Sequence, residues 1–538
     1  MQFDALSYRY PSRRNVVYAR RGMCCSSSPL ASSAGLEILH KGGNAIDAAL
    51  AMATTLPLVE PTSNGLGSDF FALIWTQGKL YGLNGSGVAP HALSADIVKA
   101  KGYTKMPIDG WLPTMVPGAP QAWATVRQRF GTLPMTEIMA PAIRYAEEGY
   151  NVPVNVAKLW RQAVPRYTKS AIKAKEAFAP WFEHFTKNGQ PYAAGDLFKS
   201  PDMAKTLKEL AATDCESFYR GELMQKIVSF SQKTGGYFSP EDFANYHAAW
   251  VEPITTDYRG YTVAEIPPNG HGLTVLMALK LLNGLQLPAE RESAETYHLI
   301  MEAIKLAYAD TKKYIADPRY MRTSVEAMLS DAYLDQRRAL ITAQARMPEA
   351  GNPYCGGTVY FCAADGEGNM CSFIQSNYKG FGSGIVIPGT GISLQDRGAN
   401  FSLDPTSDNY LEGGKKSYHT IIPGFLLKDG KPIGPFGVMG AFMQPQGQVE
   451  VLVNAIDYHM NPQEALDAPR IQWTEGMQLQ LEKEINPAIA EELAQRGHAI
   501  EILNDNITMG RGQIIWRLED GTLVGGTEPR ADGSIAAW

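Results

Sequence analysis

The chain has 538 residues, a formal net charge of −6 and no long basic run, which excludes nucleic acid or an anionic membrane surface as its main partner and favours a small molecule. No segment reaches the roughly 18 uninterrupted apolar residues of a membrane span, and residues 1–21 lack an apolar centre of signal length, so a cytoplasmic protein without membrane association is expected. Its six cysteines show no paired Cys-x-x-Cys framework and its nine histidines no His-Glu-x-x-His spacing, so free thiols, no metal and no cofactor are expected.

The length allows roughly two to four domains, yet no Pro-rich, Ser-rich or single-charge linker interrupts the chain, and one large α/β unit is admissible. Residues 33–56 place Ala, Leu and Ile at helical spacing around Lys41-Gly-Gly-Asn44, predicting a helix, a Gly-rich corner and a second helix. A loop over residues 60–69 follows. Its glycines lack the Gly-Lys-Ser/Thr of a phosphate-binding loop, so it reads as a structural turn. Phe70-Phe-Ala-Leu-Ile-Trp75 and Leu80-Tyr-Gly-Leu83 then flank Gln77-Gly-Lys79 as a hairpin. Residues 133–250 read mainly as helix, 258–268 as strand, and 273–285 and 293–310 as apolar-striped helices, while 316–351 are polar and charged. Beyond residue 377, a polar loop at 404–416 precedes strands and helix starts at 420–427, 434–439 and 448–454. A helix at 487–496 and strands near Ile502, Ile514 and Leu523 complete the chain.

The stretch from Cys355 to Asn377 carries the chemistry. Two apolar, uncharged arms, residues 358–364 and 370–376, flank the turn sequence Asp365-Gly-Glu-Gly-Asn369 and predict a buried β-hairpin. With Gly366, Glu367 and Gly368 as the loop, Thr358 stands opposite Ser376, their side chains about 5 Å apart on one face. A threonine at a strand start also serves β-propensity. Here, though, Gly356 and Gly357 let the backbone bend so that the Thr358 hydroxyl can attack the Gly357 carbonyl, an N-to-O acyl shift that ends in cleavage. The new N-terminal threonine would be nucleophile and base together, because its α-amino group has an unperturbed pKa of about 8. Cys362 and Cys371, one on each arm, read as small apolar packing residues.

This stretch resembles the catalytic hairpin of the γ-glutamyltranspeptidases, which are autoprocessing N-terminal-nucleophile hydrolases. Gly42-Gly-Asn-Ala-Ile-Asp-Ala48, Glu60-Pro-Thr-Ser-Asn-Gly-Leu-Gly67, Val116-Pro-Gly-Ala-Pro120, Asp257-Tyr-Arg-Gly-Tyr261, Phe381-Gly-Ser-Gly384 and Pro388-Gly-Thr-Gly-Ile392 resemble further signatures in the family's order. The resemblance implies a four-layer αββα sandwich of class α/β (α+β), cleaved into a large chain, residues 1–357, and a small chain, residues 358–538, that share one domain. It also implies that residues 404–416 form a lid, and that Ser376 replaces a second threonine which hydrogen-bonds the nucleophile. Gly440 and Ala441, in Gly437-Val-Met-Gly-Ala441, fall on the oxyanion loop, with Ala441 where the family has glycine.

On the substrate side the positions differ. The arginine that family members use for the glutamyl α-carboxylate falls at or beside Ser86, where the local sequence has no positive charge. The acidic and amide residues that hold the α-amino group fall on Arg397 and Asn400, and the two serines at the carboxylate fall on His419 and Thr420. Tyr378 completes the expected substrate-binding set. An ammonium beside Arg397 would meet repulsion of roughly 1 to 4 kcal/mol, whereas a guanidinium suits a carboxylate. Three readings follow. The first is a γ-glutamyltransferase or glutathione hydrolase. The second, which the altered pocket favours, is an amidohydrolase of the same mechanism for a non-glutamyl acyl group, of the oxo-acid amide or acylated β-lactam type. The third is an unprocessed binding protein. Expected partners are a small amide substrate and the two chains of one precursor, with an oligomer allowed.

Overall fold

The computed structural model describes residues 10, 14–348 and 357–538, with Gly357 and Thr358 described through their backbone alone. Two seven-stranded antiparallel sheets face each other between helical layers. The first runs Ser534–Ala537, Gly22–Ser26, Gly357–Asp365, Met370–Tyr378, Asp69–Thr76, Lys79–Gly85 and Ala249–Val251. The second runs Val17–Ala19, Leu523–Thr527, Arg511–Arg517, Lys431–Met439, Gly424–Lys428, Tyr261–Glu265 and Ile254–Tyr258. Helices Pro29–His40, Ala45–Val59 and Ala119–Phe130 cover the first sheet. Gly272–Asn283 and Met443–Ile456 cover the second, with Ala294–Tyr314 packed behind them. This is the αββα sandwich that the resemblance implied.

The hairpin lies in the middle of the first sheet because both of its faces are apolar. Val359, Phe361, Ala363 and Phe373 pack toward the outer helices, while Tyr360, Cys362, Ala364 and Ile374 join the other core cluster. Full burial of each large side chain contributes about 1.5–3 kcal/mol, so neither face can turn to water. Gly437 on the second sheet permits the close approach of the sheets: a Cβ there would lie 2.4 Å from the Tyr360 ring. All five described cysteines are buried and unpaired, as expected, and Cys355 lies outside the described residues.

Several motifs resolve into local physics. In the Gly-Gly-Asn corner, Gly42 takes φ 89° and Asn44 caps helix Ala45–Val59, accepting from the Ile46 and Asp47 N–H groups. Asp47 accepts in return from the Asn44 N–H, a reciprocal cap of about 1 kcal/mol. Residues 448–454 belong to the helix Met443–Ile456, which settles the mixed strand and helix-start reading there. The 404–416 loop is docked: Gly414 N–H donates to Ala89 O, Ala89 N–H to Lys415 O, and Lys415 Nζ to Asp408 O. No described helix is long and apolar enough to cross a membrane.

Candidate active site

The hairpin register agrees with the predicted loop from Val359 opposite Gln375 to Ala364 opposite Met370. At the mouth it changes. Gly357 pairs with Tyr378, so a bulge sets Thr358 against both Ser376 and Asn377, which corrects the simple Thr358–Ser376 pairing. Local bonding accounts for the extra residue: Tyr378 takes φ 78° and donates its N–H to Ser376 Oγ at 2.7 Å. Asn377 N–H donates to Ser63 O, and Asn377 Oδ1 accepts from Ser68 Oγ. Ser63 and Ser68, in the predicted 60–69 loop, therefore brace the hairpin mouth. Side chains at Gly65 and Gly67 would strike Ser393, at 2.1 and 2.4 Å. Ser376 is buried. The Thr358 hydroxyl, and Gly356 of the predicted bend, lie outside the described residues.

The oxyanion-loop positions end a strand of the second sheet that touches the hairpin. Gly437 meets Tyr360, two residues along from Thr358, and three residues past Gly437 the chain turns sharply at Gly440, φ 140°, and Ala441, φ 51°. Ala441 keeps the left-handed backbone that a glycine adopts freely, at a cost of about 1–2 kcal/mol. Helix Met443–Ile456 starts immediately afterwards, so the positive end of its dipole faces this turn.

Of the substrate-side residues, Arg397 lies against Tyr378, the partner of Gly357. The Arg397 guanidinium carbon lies 4.5 Å from the centre of the Tyr378 ring. Asp396 N–H donates to Asn377 O, and Lys379 N–H to Asp396 Oδ1, so the Arg397 loop is fastened to the hairpin mouth. Arg397 is fully buried. Its Nη1 donates to Thr420 Oγ1 at 2.6 Å, while Nε and Nη2 have no hydrogen-bond partner among the described residues. The Asn400 side-chain amide nitrogen is likewise buried and without one. Burial lowers Arg397 to about 10, opposed by Asp69, Tyr378 and Asp396, so it stays charged at neutral pH. Burial also raises Asp69 to about 6, opposed chiefly by Arg397, and Asp396 to about 7, opposed chiefly by Arg166.

His419 takes a different place from the one expected. Its Nδ1 accepts from Ile421 N–H, so its Nε2–H donates to Asp69 Oδ2 at 2.9 Å. Burial, with Arg397, His271 and Lys416 nearby, holds its pKa well below the ordinary range. It is thus a neutral brace for Asp69, which also accepts from Gly87 N–H.

The expected lack of positive charge at Ser86 is overturned. Lys416 Nζ lies 3.0 Å from Ser86 O, 3.2 Å from Ser86 Oγ and 3.2 Å from Asn84 Oδ1. Burial lowers it to about 8 against the pull of Asp69 and Asp317. Sequence reasoning missed both Lys416 and Asp69. Lys416 falls at the end of the predicted polar loop, directly before the Ser417-to-Thr420 motif, and Asp69 at the end of the predicted 60–69 loop.

A sandwich of two antiparallel sheets with a central hairpin, a glycine turn ending a strand of the facing sheet and a buried cation beside the hairpin defines an N-terminal-nucleophile type of hydrolase. A family model described as Gamma-glutamyltranspeptidase matches residues 31–538, and the chain belongs to that family of proenzyme hydrolases. It is 35% identical to the glutathione hydrolase-like YwrD proenzyme of Bacillus subtilis, over 96% of this chain and 98% of that one. It is 32% identical to the oxamate amidohydrolase proenzyme of Klebsiella pneumoniae, over 96% and 98%. The crystal structure of a cephalosporin acylase from Bacillus halodurans superposes with a TM-score of 0.95 at 55% identity, covering 100% of this chain and 99% of that one.

Proposed function

We propose that this enzyme is an autoprocessed amidohydrolase whose acyl group carries a carboxylate and no α-amino group. Cleavage between Gly357 and Thr358 yields chains 1–357 and 358–538. The freed Thr358 amine takes the hydroxyl proton as the oxygen attacks the amide carbonyl, then passes it to the amine that leaves as the C–N bond breaks and the Thr358 ester forms. The N–H groups at Gly440 and Ala441 steady the oxyanion, Ser376 supports the nucleophile, and water releases the acid from the Thr358 ester.

One observation carries the substrate reading. Two guanidinium nitrogens of a fully buried Arg397 lack hydrogen-bond partners among the described residues, on the ring of Tyr378 that pairs with Gly357. A substrate carboxylate would satisfy both, and the guanidinium fork suits that geometry. An ammonium there would be repelled. The relatives include proteins named for acylase and oxamate amidohydrolase activity beside those named for glutathione hydrolysis, so activities other than glutathione hydrolysis occur within the family.

The deciding measurement is kcat/KM for a glutaryl anilide against the γ-glutamyl anilide, which differs only by the amino group. We expect the glutaryl compound to win by at least about tenfold, roughly 1.4 kcal/mol. A tenfold preference for the γ-glutamyl compound would instead establish a plain glutathione hydrolase or transferase.

A further inference from the structure

We propose a second site, for a divalent transition metal of the zinc class, formed by His298, Glu302 and His498. His298 and Glu302 stand one turn apart on one face of helix Ala294–Tyr314, and His498 meets them from just before strand Ala499–Leu503. All three side chains are buried, and one ligand atom from each lies within 4.8 Å of the others. The expectation of no metal came from spacing along the chain, whereas this set is assembled by tertiary approach.

His298 is held in a metal-binding tautomer. His298 lies 2.7 Å from Thr342 O through Nε2, so that nitrogen carries the hydrogen and Nδ1 presents a lone pair, 2.9 Å from His498 Nε2. A backbone carbonyl on the far nitrogen is the usual outer partner of a metal-bound imidazole. His498 Nδ1 is buried with no hydrogen-bond partner among the described residues, and it carries the ring hydrogen when Nε2 turns its lone pair to the metal. Tetrahedral zinc would hold the two facing nitrogens about 3.3 Å apart, which needs a separation of only a few tenths of an ångström. Glu302 supplies the anionic oxygen. Its Oε1 accepts from Lys305 Nζ and its Oε2 from Arg346 N–H, and each oxygen keeps a second lone pair. The Lys305 ammonium competes with the metal for this carboxylate.

The location gives the site a task. Thr342 and Arg346 belong to the segment leading toward the proposed cleavage site, and His498 lies beyond it, so the metal ties the two chains together after processing. It takes no part in acyl transfer.

The test uses tag-free, processed protein stripped with a chelator and titrated with zinc chloride, followed by calorimetry and thermal melting. About one equivalent should bind per chain and raise the melting temperature. His298→Gln and His498→Gln should each weaken binding by at least about tenfold and remove the thermal shift. Lys305→Met should tighten it. Substoichiometric binding, or binding unchanged in both histidine variants, overturns the proposal. Should the variants fail to fold, X-ray absorption on zinc-loaded wild type decides. Two imidazoles with an oxygen ligand are expected, and a shell without imidazole overturns the site.

Discussion

The hairpin mouth and the wall beside it follow different rules, although they touch. At the mouth, the backbone does the work: a bulge opposite Thr358, positive φ at Gly440 and Ala441, and glycines that let the two sheets approach. Replacing threonine by serine at residue 376, or glycine by alanine at residue 441, leaves hydroxyl and N–H groups in place. On the wall, side-chain charge does the work in the proposed site, and there lie the positions where the resemblance implied departures from the γ-glutamyltranspeptidase pattern: Arg397, Asn400, His419 and Thr420, with Lys416 reaching Ser86. Backbone geometry tolerates conservative exchange. A buried charge does not, because each one needs its own partner within reach.

The largest test of this contrast is Thr358→Ala. It should give a single uncut chain with no measurable hydrolysis, read by denaturing electrophoresis and N-terminal sequencing. A wild-type small chain beginning anywhere but Thr358 would move the mouth elsewhere. Next comes Arg397→Gln, which leaves the mouth intact. Processing should be normal while kcat/KM for the glutaryl anilide falls by about 10²-fold, near 3 kcal/mol, the usual cost of losing a charged hydrogen-bonding partner. Equal losses for glutaryl and uncharged acyl anilides would mean that Arg397 supports the fold rather than the carboxylate.

Ser376→Ala should slow both processing and turnover by about tenfold, with Ser376→Thr tolerated, since only the hydroxyl matters. Rates unchanged in the alanine variant would remove this residue from the mechanism. The smallest effect concerns pH. Burial lowers Lys416 to about 8, so it is charged below that pH and neutral above it, whereas Arg397 stays charged to about 10. KM for a carboxylate substrate should therefore rise a few-fold between about pH 8 and pH 10, and Lys416→Arg should flatten that rise. A flat wild-type profile would leave the carboxylate to Arg397 alone.

What the sequence determined by itself was set by local or repeating signals. The hairpin arms, the Gly-Gly-Asn helix corner and the main helices follow from apolar period and turn residues, and the ordered motifs implied the αββα sandwich and the candidate positions Ser376, Gly440, Arg397 and Thr420. Only tertiary structure decided the bulge that sets Thr358 against two residues, since bonding at Tyr378 and the brace from Ser63 supply it. It also decided the electrostatics. Asp69 and His419 are 350 positions apart and Lys416 and Ser86 are 330, and no periodic pattern records such meetings. The charge state of a side chain depends on how much water and which counter-charges surround it, and both are properties of the folded chain.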